Sequence, residues 1–288
     1  MGITISSCCG CILFPGTASL EDDERQELLN HSKLVWLDTP RGGRLPAIDI
    51  DIGCATTVLL SHGNAENISQ IYPKYEQMAV THRVNFFVYE YAGYGISSGA
   101  KASEREFYDD ISAAFAYLVE KKNIPHSKII LFGRSIGSGP TVELASKQKG
   151  LGGMVLQSGL ESACRTQGSL GCCCASICCC FDVFKNRSKI DKVDCPVFLI
   201  HGTEDRVITV SNSRNNQARL RHPVDPFWAE GAGHNDVEER HAATYSRRLN
   251  EFFRHCETVV EDRKWDGLGG SAGGRGGDLA ASMQSRMA

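Results

Sequence analysis

The chain has 288 residues and a net charge of −3, from 31 Lys and Arg against 34 Asp and Glu. No basic cluster stands out, which argues against nucleic acid as a partner, and no apolar run reaches the roughly 18 residues of a transmembrane helix. The thirteen cysteines are odd in number and clustered, with no secretory leader ahead of them, and this points away from a disulfide framework and towards a cytosolic chain.

The first segment reads as a lipid address. Met1-Gly2-Ile3-Thr4-Ile5-Ser6 fits the N-myristoylation pattern, with Gly2 exposed once Met1 is removed. Cys8, Cys9 and Cys11 follow, beside apolar Ile12, Leu13 and Phe14. One myristoyl chain holds a protein at a bilayer only marginally, so stable anchoring needs a second signal. No basic residue precedes Arg25, and Glu21-Asp22-Asp23-Glu24 is acidic, so attraction to anionic lipid is not available. S-acylation of the cysteines is the natural second signal, against the plainer alternative of a frayed tail with incidental cysteines. Residues 1–20 are therefore expected to anchor the protein to the cytoplasmic face of a membrane, and residues 21–33 to be a polar linker or short helix.

The remainder is one periodic stretch of single-domain size. Val35-Trp36-Leu37 and Leu45 to Ile50, separated by Arg41-Gly42-Gly43, read as an antiparallel pair. Strands and helices then alternate: strand 56–61, helix 67–81, strand 84–90, helix 103–122, strand 128–133, helix 136–149 and strand 153–158. After an interruption at 160–190 come strand 196–201, helix 210–221, strand 226–229 and helix 236–256. Such alternation builds a mostly parallel sheet with helices on both faces. The glycine-rich residues 259–288 read as a flexible tail, which bounds the domain at 21–258.

Four segments at strand ends carry chemistry. Gly133-Arg134-Ser135-Ile136-Gly137 follows the apolar run Lys128 to Phe132 and precedes a helix candidate. A serine between glycines at such a junction can occupy a strained turn that leaves its hydroxyl above the sheet edge, the nucleophile elbow. His62-Gly63-Asn64 follows the strand Thr57 to Ser61, where the backbone N–H of Asn64 would join that of Ile136 in an oxyanion hole. His201-Gly202-Thr203-Glu204-Asp205 follows Val197 to Ile200, and Gly231-Ala232-Gly233-His234 follows Pro226-Phe227-Trp228. The order Ser135, Asp205, His234 is that of α/β-hydrolases. Glu204 and Asp225 are rival acids. His62 and His201 end strands and read as structural, whereas His234 lies in a glycine-flanked loop after the last strand. His234 would be the base that takes the Ser135 proton, and Asp205 would hold its tautomer. The expected fold is thus an α/β-hydrolase with a short lid insertion at 160–190.

From Val58 to about Phe253 the chain resembles the serine hydrolases called α/β-hydrolase domain-containing protein 17. The matching words are Leu60-Ser61-His62-Gly63-Asn64-Ala65, Tyr91-Ala92-Gly93-Tyr94-Gly95-Ile96-Ser97-Ser98-Gly99, Phe132-Gly133-Arg134-Ser135-Ile136-Gly137, His201-Gly202-Thr203-Glu204-Asp205 and the long run from Trp228 to Glu238. The resemblance implies a membrane-anchored depalmitoylase, a thioesterase that removes long acyl chains from cysteines of membrane-associated proteins. By matching position it places the nucleophile at Ser135, the acid at Asp205 and the base at His234, and it implies palmitoylation of the N-terminal cysteines. Two departures stand out. The myristoylation signal at Gly2 is not a feature of the family's animal members, and Arg134 stands where the family's elbow usually carries Gln.

Within the lid, Cys172, Cys173, Cys174, Cys178, Cys179 and Cys180 fall in nine residues. Adjacent triplets do not match the paired spacing of metal ligands, and a second S-acylation patch or a small apolar surface against the bilayer is the favoured alternative. No metal and no cofactor are expected, and the protein is expected to act as a monomer. The competing functions are a carboxylesterase or lipase using the same triad, a non-catalytic scaffold, which would need a broken triad, and, as an outsider, a serine peptidase, for which nothing marks an amine-leaving-group site.

Overall fold

The computed structural model describes residues 20–99, 101–166 and 182–268. Gly2, Cys8, Cys9, Cys11 and the cysteine run 172–180 lie outside the described residues.

The chain enters through helix α1 (Asp22–Leu29) and the hairpin β1 (Leu34–Asp38) and β2 (Arg44–Ile50). It continues through β3 (Thr57–Ser61), α2 (Ile68–His82), β4 (Asn85–Tyr89), α3 (Glu104–Ala116), β5 (Ile129–Arg134), α4 (Ser138–Lys147) and β6 (Gly153–Gln157). The last elements are β7 (Val197–Gly202), α5 (Ser211–Gln217), β8 (Phe227–Ala229), α6 (Val237–Arg240) and α7 (Ala242–Leu268). One turn of π-helix (Tyr117–Lys121) extends α3, and a 3₁₀ turn (Ser135–Gly137) precedes α4.

The eight strands form one sheet in the order β1-β2-β4-β3-β5-β6-β7-β8. The pairs β1/β2 and β2/β4 are antiparallel and all others are parallel. Every residue of β3 and β4 is buried, as continuous apolar runs in a sheet covered on both faces should be. Alternate residues feed two cores. Leu59 and Leu131 pack with Ile111 of α3 and Val142 of α4, whereas Val58, Leu60, Ile130 and Phe132 pack with Tyr75 of α2 and Phe252 of α7. Side-chain caps start two of the covering helices: Asn67 accepts from the Gln70 N–H and Ser103 from the Glu106 N–H.

Three boundaries differ from the expected ones. The helix expected over 210–221 ends at Gln217, where the backbone tightens into turns with Arg219 N–H on the Asn216 carbonyl and Leu220 N–H on that of Gln217. The helix expected over 236–256 is broken at His241, which leaves helical backbone (φ −125°) and donates from Nε2 to the Glu230 carbonyl at 2.9 Å. The final helix also runs to Leu268, ten residues past the boundary at 258. Thr258 to Asp266 contains neither Gly nor Pro, so nothing in the chain stops the helix before Gly267. Of the insertion at 160–190, the described ends are packed into the domain: Leu160 and Phe184 are fully buried.

The sheet order reverses between β3 and β5. β3 is flanked by β4 on one side and β5 on the other, so the connections leaving their carboxyl ends diverge and open a crevice there.

Candidate active site

β5 and β3 pair with Gly133 opposite Ser61, so the loop after β3 and the turn after β5 leave the sheet side by side at the switch point. Ser135 takes φ +53°, in the left-handed region that costs a non-glycine residue of order 1–2 kcal/mol. The tight turn brings Gly137 against β3: a Cβ there would collide with the Ser61 carbonyl oxygen and lie 2.6 Å from that of His62. On the other side of the turn, a Cβ on Gly133 would lie 2.6 Å from Thr141 Oγ1. Glycines flank the serine because the backbone passes through both places.

Three residues from separate strand ends meet above this turn. The Ser135 hydroxyl lies 3.0 Å from His234 Nε2, and His234 Nδ1 lies 2.7 Å from Asp205 Oδ2. A carboxylate accepts, so Nδ1 carries the proton, and the Nε2 lone pair is left to receive the serine O–H. The Asp205 carboxylate is fully buried and the His234 ring is 11% exposed. Asp205 Oδ1 accepts from the backbone N–H groups of Val207 (2.9 Å) and Ile208 (2.8 Å), and Oδ2 also receives His201 Nε2 at 3.2 Å. Burial alone would raise the Asp205 pKa; hydrogen bonds from His201, His234 and Ile208 outweigh it and hold the carboxyl well below the usual range. Of the rival acids, Glu204 is exposed and Asp225 pairs with Arg248 at 3.0 Å.

The two strand-end histidines are structural, as expected, and each has a distinct task. His201 is fully buried; Ser213 Oγ lies 2.7 Å from Nδ1, and Nε2 donates to the Ile208 carbonyl at 2.8 Å. His201 thereby fixes the loop that presents Asp205. His62 faces two acceptors, the Gly63 carbonyl at Nδ1 (2.9 Å) and Glu90 Oε1 at Nε2 (2.8 Å). With an acceptor at each nitrogen, this arrangement favours the protonated ring beside the buried Glu90. Burial opposes that charge, but Glu90 outweighs it and raises the His62 pKa.

The expected oxyanion donors, Asn64 and Ile136, lie on two different segments, the loop after β3 and the turn after β5. Ile136 is the residue after Ser135 in the 3₁₀ turn. Asn64 lies in the neighbouring loop, where its Oδ1 accepts from Tyr94 Oη at 2.7 Å and from the Ala65 N–H at 3.1 Å. The preceding Gly63 N–H donates to Glu66 Oε2 at 2.7 Å.

Sequence reasoning noted Arg134 only as a departure and overlooked its partners. Its guanidinium pairs through Nη1 with Glu66 Oε1 and donates through Nη2 to Asn235 Oδ1 at 2.8 Å. Glu90 was also overlooked; its one signal is an acid closing the apolar strand 84–89. Among the described residues no group of three or more His, Cys, Asp or Glu is placed to hold a metal ion.

A strained serine, an imidazole and a carboxylate at the switch point of a mostly parallel sheet define the architecture of an α/β-hydrolase, and the comparisons agree. The sequence model described as "Serine aminopeptidase, S33" (Hydrolase_4) matches residues 54–166. Among solved structures, the esterase Pf2001 of Pyrococcus furiosus superposes with a TM-score of 0.66 at 19% identity, covering 84% of this chain and 99% of that one. DcsB in complex with its substrate analogue gives 0.65 at 14%, over 77% and 98%.

Sequence relatives narrow the class. Mouse alpha/beta hydrolase domain-containing protein 17C is 38% identical over 254 residues, 84% of this chain and 75% of that protein. The Xenopus tropicalis 17C protein is 42% identical over 84% and 78%, and the Caenorhabditis elegans protein aho-3 is 42% identical over 68% and 57%. The chain belongs to the alpha/beta hydrolase domain-containing protein 17 family and is a hydrolase.

Proposed function

We propose that this protein is a membrane-anchored serine hydrolase that cleaves the thioester of S-palmitoylated proteins. The observation that carries the reading is the continuous chain from Asp205 through His234 to Ser135, at 2.7 and 3.0 Å. In this scheme Ser135 Oγ attacks the thioester carbonyl carbon while His234 Nε2 takes its proton. The negative charge that develops on the carbonyl oxygen is met by the N–H groups of Asn64 and Ile136. The C–S bond then breaks, His234 protonates the departing cysteine sulfur, and an acyl-Ser135 ester remains. Water, deprotonated by His234, releases the fatty acid and restores the serine. Asp205 stays ionised throughout, because its four contacts, from Val207, Ile208, His201 and His234, favour the charged form, and it stabilises the imidazolium as it forms.

The choice of a thioester rests on the family resemblance and on the N-terminal lipid signals. A protein held at the membrane by a myristoyl group on Gly2 and acyl chains on Cys8, Cys9 or Cys11 meets substrates that share its surface. Oxygen esters form the same acyl-enzyme, so a carboxylesterase or lipase is the alternative. Purified protein should release palmitate from an S-palmitoylated peptide at least tenfold faster than from a glycerolipid presented in the same vesicles. The reverse preference would replace the thioesterase assignment with the lipase one. Ser135→Ala should abolish both activities without lowering the thermal midpoint.

A further inference from the structure

The triad accounts for Ser135, Asp205 and His234 but not for the cation beside them. Arg134 closes β5 directly before the proposed nucleophile, and its side chain is only 12% exposed. A guanidinium buried to this degree must be fully partnered. Its partners lie on two different loops: Glu66 on the loop after β3 and Asn235 on the loop that carries His234.

The Glu66 carboxylate divides its oxygens. Oε1 meets Arg134, while Oε2 accepts the Gly63 N–H at 2.7 Å. The charge on Arg134 is thereby passed to the peptide one residue ahead of Asn64. The packing is close: a Cβ on Gly63 would lie 2.7 Å from Arg134 Nη1 and 3.0 Å from Glu66 Oε2. On the other arm, Asn235 is the immediate neighbour of His234. One planar fork thus spans the oxyanion loop and the base loop from the strand that carries the serine. Only Arg has two N–H arms at this reach; Lys offers one point charge, and Gln is shorter and neutral.

We propose that Arg134 is a positioning residue for the hydrolase reaction: it braces the Asn64 loop and the His234 loop at a fixed separation across Ser135. The inference rests on the triad reading above. Displacing reacting groups by about 1 Å can lower a rate on the order of 100-fold, so the brace acts on the chemical step and not on substrate binding.

The test uses Arg134→Gln, Arg134→Lys, Glu66→Gln and the double variant Arg134→Gln/Glu66→Gln. Each is measured for p-nitrophenyl octanoate hydrolysis, for the rate of inactivation by a fluorophosphonate and for thermal unfolding. Arg134→Gln should lower kcat on the order of 10–100-fold with KM within about twofold, and slow inactivation by a similar factor. Arg134→Lys should fall between it and the native protein. The double variant should be no worse than Arg134→Gln alone, since both changes break one network. If Arg134→Gln does not fold, Glu66→Gln and Arg134→Lys decide the matter by the same kcat criterion. A lower thermal midpoint with unchanged kcat would reduce Arg134 to a structural ion pair and overturn the proposal. A loss confined to KM would make it a substrate contact and overturn it too. Native protein that neither hydrolyses the ester nor reacts with the phosphonate would sink the triad reading and this inference together. An active native protein with an equally active Arg134→Gln would sink the brace alone.

Discussion

Ser135 holds a backbone conformation that its own side chain disfavours, at φ +53°. Glycine pays no such steric penalty, so Ser135→Gly should unfold at a temperature no lower than the native protein while losing hydrolysis completely. A marked drop in its thermal midpoint would show that the turn is not strained. Asp205→Asn should be more damaging than its small change in shape suggests. An amide can present its NH₂ to His234 and favour the wrong tautomer, so kcat should fall on the order of 10⁴-fold, the size seen for this change in the serine-protease triad. Asp110 offers a test away from the site. It is fully buried, accepts from the Ala92 N–H at 2.9 Å through one oxygen, and its other oxygen has no hydrogen-bond partner among the described residues. Burial, with Glu106, Asp109 and Glu90 nearby, pushes its pKa up to about 8 against the opposing Ala92 hydrogen bond. The folded chain therefore keeps a proton on Asp110 that the unfolded chain releases near pH 4, so stability falls as pH rises from about 4 to about 8. The thermal midpoint of Asp110→Asn relative to the native protein should climb across that window, and a pH-independent difference would contradict the assignment.

At the scale of elements, the elbow depends on β5, the 3₁₀ turn and β3 lying closer together than side chains permit. Gly137→Ala should destabilise the fold by roughly 3 kcal/mol, the upper end of ordinary overpacking costs, because a Cβ would enter the carbonyl wall of β3. A folded, fully active Gly137→Ala would mean that β3 yields easily. This turn was legible in the sequence, since a glycine pair around a serine and the apolar run before it are local signals. The strand ends bearing Asp205 and His234 were legible for the same reason. What was not legible is long-range. His62 and Glu90 are 28 residues apart, Arg134 and Glu66 are 68 apart, and Arg134 and Asn235 are 101 apart; no periodicity links them. The break at His241 was hidden too, because it depends on a hydrogen bond to Glu230 and not on Gly or Pro.

At the scale of the molecule, the strand order was foreseen only as alternation; the reversal between β3 and β5, which gathers the site, comes from pairing that a single sequence does not display. The last helix outruns its expected end because residues 258–266 carry no Gly or Pro, and the glycine-rich run begins only at Gly267. Membrane attachment belongs to this scale. No helix among the described residues is long and apolar enough to cross a bilayer, and the proposed anchor is acyl chains on the N-terminal segment. Gly2→Ala should move the protein from the membrane to the supernatant on fractionation of cells; full retention would mean that the cysteines anchor it without myristate. The central claim is that Ser135, His234 and Asp205 act as one unit, and labelling the native protein with a fluorophosphonate followed by peptide mass spectrometry tests it most directly. The account predicts a single adduct on Ser135, absent in His234→Ala, whereas an adduct on another residue, or undiminished labelling without His234, would contradict it.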